Sequence, residues 1–77
     1  MFSPKEASKI LMQKHKNTKL VDCIEYEDCY IFCGVEPSGY RNYYSVDKKT
    51  GRIEYYSPAG EIDKFINAIE NHRVNWH

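Results

Sequence analysis

Residues 43–56 decide the fold of this chain and read YYSVDKKTGRIEYY. Two short runs rich in aromatic and β-branched residues flank a polar segment that contains glycine, which predicts a β-hairpin. If the central DKKTGR segment forms the loop, Val46 lies opposite Ile53 and Tyr44 lies opposite Tyr55. Side chains alternate along a strand, so these pairs share one face, which we expect to be the core face.

The segments around this hairpin predict two more strands and two helices. Ser3-Pro4 begins a helix over residues 4–16, with a glutamate placed to complete a capping box. Residues 18–26 and 29–36 read as strands joined by an acidic turn. Ser57-Pro58 repeats the serine-proline start and predicts a second amphipathic helix as far as His72.

The order α-β-β-β-β-α predicts an α+β fold in a single small domain over residues 1–77. We expect a four-stranded antiparallel sheet with two helices packed on one face. In the first hairpin the expected core face carries a run of apolar side chains, namely Leu20, Ile24, Tyr26, Cys29, Ile31, Cys33 and Val35.

Charge argues against a polyanion-binding protein as a whole but is unevenly distributed. Lys+Arg and Asp+Glu balance at 11 each, which disfavours nucleic acid and membrane surfaces as partners. Residues 1–19 nevertheless carry five lysines against one glutamate, and residues 20–36 carry five acidic residues and no basic one. This segregation indicates either two solvated faces of opposite charge or a basic helix that docks an acidic partner or a phosphate backbone.

Catalytic and metal-binding motifs are missing from the sequence. Cys29 and Cys33 lie about 13 Å apart along one strand, too far for a disulfide, and Cys23 falls on the opposite face. The three histidines do not form a metal-binding pair, and no nucleophile or phosphate-loop motif occurs. We therefore expect no catalytic residue, no metal, no cofactor and no small-molecule substrate. Without a signal peptide or membrane span, we expect a cytoplasmic protein.

Aromatic residues supply the one functional signal, because 14% of the chain is aromatic, more than so small a core can bury. The assumed registers place Tyr30, Phe32, Tyr43 and Tyr56 on the sheet face away from the aliphatic core. If both helices cover the aliphatic face, these four form an open aromatic patch, which is typical of interaction sites. Alternatively, a helix or the tail with Trp76 covers them, or they line a solvated sheet.

The hairpin and the first helix together resemble a PepSY-type domain over residues 4–57. Glu6-Ala7 heads the helix, and the Asp47-Lys48-Lys49-Thr50-Gly51 turn is similar to the closing Asp-x-x-Thr-Gly turn of that family. The resemblance implies a binding or inhibitory module and carries over no site residue. The chain departs from the family in lacking a signal peptide and in adding the second helix.

The sequence thus predicts a small protein-interaction module, not an enzyme. It would self-associate as a homodimer or bind a regulatory protein partner through Tyr30, Phe32, Tyr43 and Tyr56. The alternative is single-stranded nucleic-acid binding on the same face, supported by nearby cations, namely Arg41, Lys48, Lys49 and Arg52.

Overall fold

The computed structural model describes all 77 residues and confirms the α+β fold with the order α-β-β-β-β-α. Its elements are α1 (Pro4–Lys14), β1 (Lys19–Tyr26), β2 (Cys29–Val35), β3 (Arg41–Asp47), β4 (Ile53–Tyr55) and α2 (Ile62–Asn71). The four strands form one antiparallel sheet in the order β1-β2-β3-β4. Each strand therefore lies beside its neighbour in the sequence.

The two helices begin in different ways. At α1, the Ser3 N–H donates to Glu6 Oε1 over 2.9 Å, and the Glu6 N–H donates to Ser3 Oγ over 3.1 Å, so the predicted capping box is confirmed. The predicted start of α2 at Ser57-Pro58 is wrong, because the helix begins at Ile62. A turn precedes it, in which Gly60 has φ +86° and the Glu61 N–H bonds the Pro58 carbonyl.

Both predicted hairpins form. Val46 pairs with Ile53 and Tyr44 with Tyr55, as the residue 43–56 pattern predicts. In the first hairpin, Ile24 pairs with Ile31 as expected, but a β-bulge between Leu20 and Asp22 shifts the register. The extra residue turns Leu20 to the opposite face from Ile24, where it packs against the core beneath α1.

The expectation that both helices pack on one face is wrong, since each covers a different face of the sheet. On one face, α1 buries Ala7 and Leu11 against Cys23, Tyr30, Phe32, Tyr44 and Val46. On the other face, α2 buries Phe65 and Ala68 against Ile24, Tyr26 and Ile31. The physical reason lies in β2, whose side chains are apolar on both faces, so that both faces need a cover.

The tail after α2 pairs with the free edge of β1. The Glu25 N–H donates to the His72 carbonyl over 2.8 Å, and the Val74 N–H donates to the Cys23 carbonyl over 3.0 Å. The chain then reaches the α1 side, where the Trp76 ring meets Phe32 edge to face at 6.4 Å between centroids. The tail therefore connects the two sides of the sheet.

The segment that joins α1 to β1 lies tightly against Gly34 of β2. Thr18 in this segment is buried, as is the Tyr44 ring from β3. A Cβ atom on Gly34 would come within 2.4 Å of Thr18 Cγ2 and 3.0 Å of Tyr44 Cε2. Only glycine leaves room for this approach.

Candidate functional site

The four aromatic residues of the predicted patch do not share a face. Tyr30 pairs with Val46 and Phe32 with Tyr44, so Tyr30 and Phe32 lie in the core beneath α1, with exposures of 5% and 0%. Tyr43 lies on the other face and pairs with Cys33. The predicted face assignment is therefore wrong: the β2–β3 register is offset by one residue from the assumed one, and such an offset exchanges faces.

Tyr43 and Tyr56 lie together beneath α2 and are half-buried. Their ring centroids lie 5.1 Å and 5.5 Å from that of Phe65. The hydroxyl groups of Tyr56 and Tyr26 donate to Glu61 Oε2 over 3.2 Å and 3.0 Å. Burial, reinforced by Tyr56 and the Glu61 carboxylate, raises the pKa of Tyr26 above its ordinary value. The rings of Tyr43 and Tyr56 are therefore held in place by α2 and the residue before it.

Beside α2 the sheet remains partly uncovered, which leaves a cleft of about 320 Å³. Its apolar lining comes from the strands and from the helix, and consists of Val21, Ile24, Ile31, Cys33, Tyr43, Phe65 and Ile69. Three charged residues, Asp22, Arg41 and Arg73, complete it. A concave apolar surface with a few polar groups is the usual form of a binding site.

One flank of α2 extends this apolar surface beyond the cleft. Ile62, Ile66 and Ile69 follow each other at helical spacing, and the last of them lines the cleft. Ile62 is 50% exposed and Ile66 46% exposed. We call this exposed flank together with the cleft the α2 groove. The helix thus presents a wider apolar stripe than its packing on the sheet uses.

The two arginines of the groove differ in their partners. Arg73 Nη2 lies 3.1 Å from Asp22 Oδ2 and is ion-paired. Arg41 forms no ion pair, and its nearest polar contact is Cys33 Sγ at 3.9 Å from Nη1. Arg41 as a whole is exposed and lies at the edge of the apolar lining. The groove therefore carries one positive charge that is free to meet an anion.

The cations of the nucleic-acid alternative are partly paired with acidic residues of the protein itself. Lys48 pairs with Glu25 over 2.7 Å and also donates to the Glu27 carbonyl. Arg52 pairs with Glu54 over 2.9 Å. Arg41 belongs to the α2 groove, as described above. Two of the four proposed phosphate contacts are thus already neutralised within the protein.

The cysteines are all unpaired, with Cys23 and Cys33 buried and Cys29 partly buried. Burial, with a smaller effect of the Asp22 and Glu25 charges, raises the pKa of the Cys23 thiol to about 12. Burial also raises the pKa of the Cys29 thiol. A thiol held protonated in this way is a poor nucleophile.

Comparison with protein-family models, with curated proteins and with solved structures finds no match to this chain. The resemblance to PepSY-type domains stays a prediction from the sequence. Among the helices of the structure, none is long and apolar enough to cross a membrane.

The α2 groove was missed at the level of sequence, although one signal for it exists. Ile62, Ile66 and Ile69 stand at helical spacing, but a stripe of this kind is more often core than surface. Part of the stripe stays exposed because the sheet contacts α2 mainly at Phe65 and Ala68. The pairing of Arg73 with Asp22 depends on the bridge between the tail and β1, which leaves no pattern in the sequence.

Proposed function

We propose that this protein is an interaction module that binds a segment of a protein partner in the α2 groove. The observation that supports this is the continuous apolar surface from the exposed Ile62 and Ile66 into the cleft, next to an unpaired arginine. A binding role, not a catalytic one, also fits the raised pKa values of the Cys23 and Cys29 thiols. Three unpaired cysteines fit a reducing compartment, which supports the expected cytoplasmic location.

The lining of the groove defines the chemistry of the partner. Its floor accommodates an apolar side chain, and the Arg41 guanidinium group at its edge donates a charge-assisted hydrogen bond to a carboxylate. Arg73 shares its charge with Asp22 and adds less attraction. The favoured occupant is therefore a peptide segment in which an aliphatic or aromatic residue stands close to an aspartate or glutamate.

The energy available from this surface is modest but measurable. Complete burial of an isoleucine side chain contributes about 1.5–3 kcal/mol. Ile62 and Ile66 are half-exposed, so each has about half of that still to gain when a partner covers it, about 1 kcal/mol. Loss of one such contact corresponds to an approximately fivefold weaker affinity.

Selection of peptides from a random display library tests the proposal. We expect the enriched peptides to combine an apolar residue with a nearby aspartate or glutamate. Measured by fluorescence polarisation, they should bind the Ile66→Gln and Arg41→Gln variants at least about fivefold more weakly than the unmodified protein. Asn67→Ser is the matched control, because Asn67 is exposed on the opposite flank of the same helix and should bind normally.

Two results would count against this proposal. If no peptide is enriched, or if the enriched peptides bind Ile66→Gln as well as the control, the groove is not the binding surface. Sedimentation equilibrium of the peptide-free protein covers the remaining occupant, a second copy. If the protein forms a salt-insensitive dimer and Ile66→Gln dissociates it, the occupant of the groove is a second copy of this chain and not a partner peptide.

A further inference from the structure

A shallow and largely open depression lies on the opposite side of the molecule from the α2 groove. Lys5 and Lys9 of α1 and Lys19 at the start of β1 line it, and Trp76 and His77 line it as well. We call this surface the lysine cleft. Three of the five lysines of residues 1–19 thus lie around one surface.

The lysines of the cleft are free to bind an anion. The ion pairs of the structure involve Lys48, Arg52, Lys64 and Arg73, and none of the three cleft lysines takes part. No acidic side chain lines the cleft. Glu6, the one acid of residues 1–19, has its carboxylate bonded to the Ser3 N–H at the start of α1. Lys9 still attracts the Glu6 carboxylate, but none of the three lysines is held in an ion pair. An anion at this surface would therefore meet three positive charges that form no ion pair.

Trp76 gives the cleft an aromatic wall that is held in place. Its ring is stacked at a tilt on His77, with 4.2 Å between centroids and 34° between planes. It also meets the buried Phe32 edge to face, and the Val74–Cys23 hydrogen bond anchors the segment. Trp76 is only partly buried and His77 is exposed, so a ligand can reach the rings.

We propose that the lysine cleft binds single-stranded nucleic acid. The lysines contact consecutive phosphates, and an unpaired base stacks on the Trp76–His77 rings. A duplex keeps its bases stacked within itself and offers none to an aromatic ring, so a single strand is favoured. The zero net charge of the chain is compatible with this, because the acidic residues lie outside the cleft. This site is independent of the α2 groove.

Trp76 is the only tryptophan, so its fluorescence reports directly on the cleft. Titration with a short oligo(dT) at low salt should quench it saturably. With about three phosphates neutralised, the logarithm of the association constant should fall against the logarithm of salt concentration with a slope of about −2. The double variant Lys5→Gln/Lys9→Gln should make this dependence shallower by about 1.4, which leaves a slope of about −0.6. The matched control Lys14→Gln/Lys16→Gln removes the same charge from exposed residues near the end of α1 that do not line the cleft, and should bind nearly as tightly as the unmodified protein.

Trp76→Leu distinguishes base stacking from simple attraction to a polyanion. Measured by anisotropy of a labelled oligo(dT), its affinity should fall about 5- to 150-fold. Circular dichroism establishes that the variants are folded. The proposal is overturned if oligo(dT) does not quench Trp76, or if the two lysine pairs weaken binding equally. Heparin or a DNA duplex that binds as tightly as oligo(dT), together with an unaffected Trp76→Leu, would also overturn it.

Discussion

Gly34→Ala should destabilise the protein strongly, although alanine suits a strand better than glycine. The added Cβ would lie 2.4 Å from Thr18 Cγ2 and 3.0 Å from Tyr44 Cε2. Both neighbours are buried, at 7% and 0% exposure, so neither side chain can turn out into solvent. Overpacking of this kind costs about 1–3 kcal/mol. With two close contacts we expect the free energy of unfolding to fall by about 2–3 kcal/mol, measured by urea denaturation followed by circular dichroism.

A second substitution isolates the cause of this loss. Thr18→Ser removes the Cγ2 methyl group that makes the closer contact and keeps the hydroxyl group. In that background the cost of Gly34→Ala should fall by about half, which a double-mutant cycle reports as a coupling of about 1 kcal/mol or more. Gly39→Ala, where nothing lies within 4 Å of the new Cβ but φ is +89°, should cost only about 1 kcal/mol of backbone strain. If Gly34→Ala costs under about 0.5 kcal/mol, or if Thr18→Ser leaves its cost unchanged, the close approach is not what requires glycine.

Three further outcomes are expected. Phe65→Leu should lower the free energy of unfolding by about 1–3 kcal/mol, because it removes two aromatic contacts beneath α2, and thermal denaturation would measure this. Burial raises the pKa of Cys23 from 9.0 to about 12, so the folded protein keeps this thiol protonated at pH values where the unfolded chain ionises it. The free energy of unfolding should therefore fall as the pH rises above 9.0. Urea titrations over this pH range should show a less steep fall for Cys23→Ala. Val74→Pro removes the N–H that bonds the Cys23 carbonyl, so the tail should detach from β1. The fluorescence emission of Trp76 should then shift to longer wavelength, while the far-ultraviolet circular dichroism stays the same. An unshifted emission would mean that packing on Phe32 alone holds the tail.

The parts of the fold that could be predicted are those set by neighbouring residues. The capping box at Ser3 and Glu6 needs only a spacing of three residues. The pairing of Val46 with Ile53 follows from the alternation on either side of one turn. In such features the sequence signal and the structure it forms lie within a few residues of each other.

The β2–β3 register could not be predicted in this way, because it depends on the connection over residues 36–40. That connection closes with hydrogen bonds from the Glu36 N–H to the Tyr40 carbonyl and from the Gly39 N–H to the Glu36 carbonyl. A connection of this length does not fix which residue of β3 meets Phe32, and an error of one residue exchanges the faces. For this reason the four aromatic residues of the predicted patch lie on two different faces of the sheet. The α2 groove and the lysine cleft depend in addition on which face each helix covers.

The pairing of the tail with β1 has a consequence for how these molecules meet in solution. Sheets of separate molecules join into fibrils where a long edge strand offers a row of free backbone amides. Here residues 72–74 occupy part of the β1 edge, and the bulge between Leu20 and Asp22 distorts the rest. The opposite edge is β4, which is only three residues long. Crowded copies of this chain therefore have little edge on which to template one another, and we expect concentrated solutions to resist amyloid growth for as long as the tail stays docked.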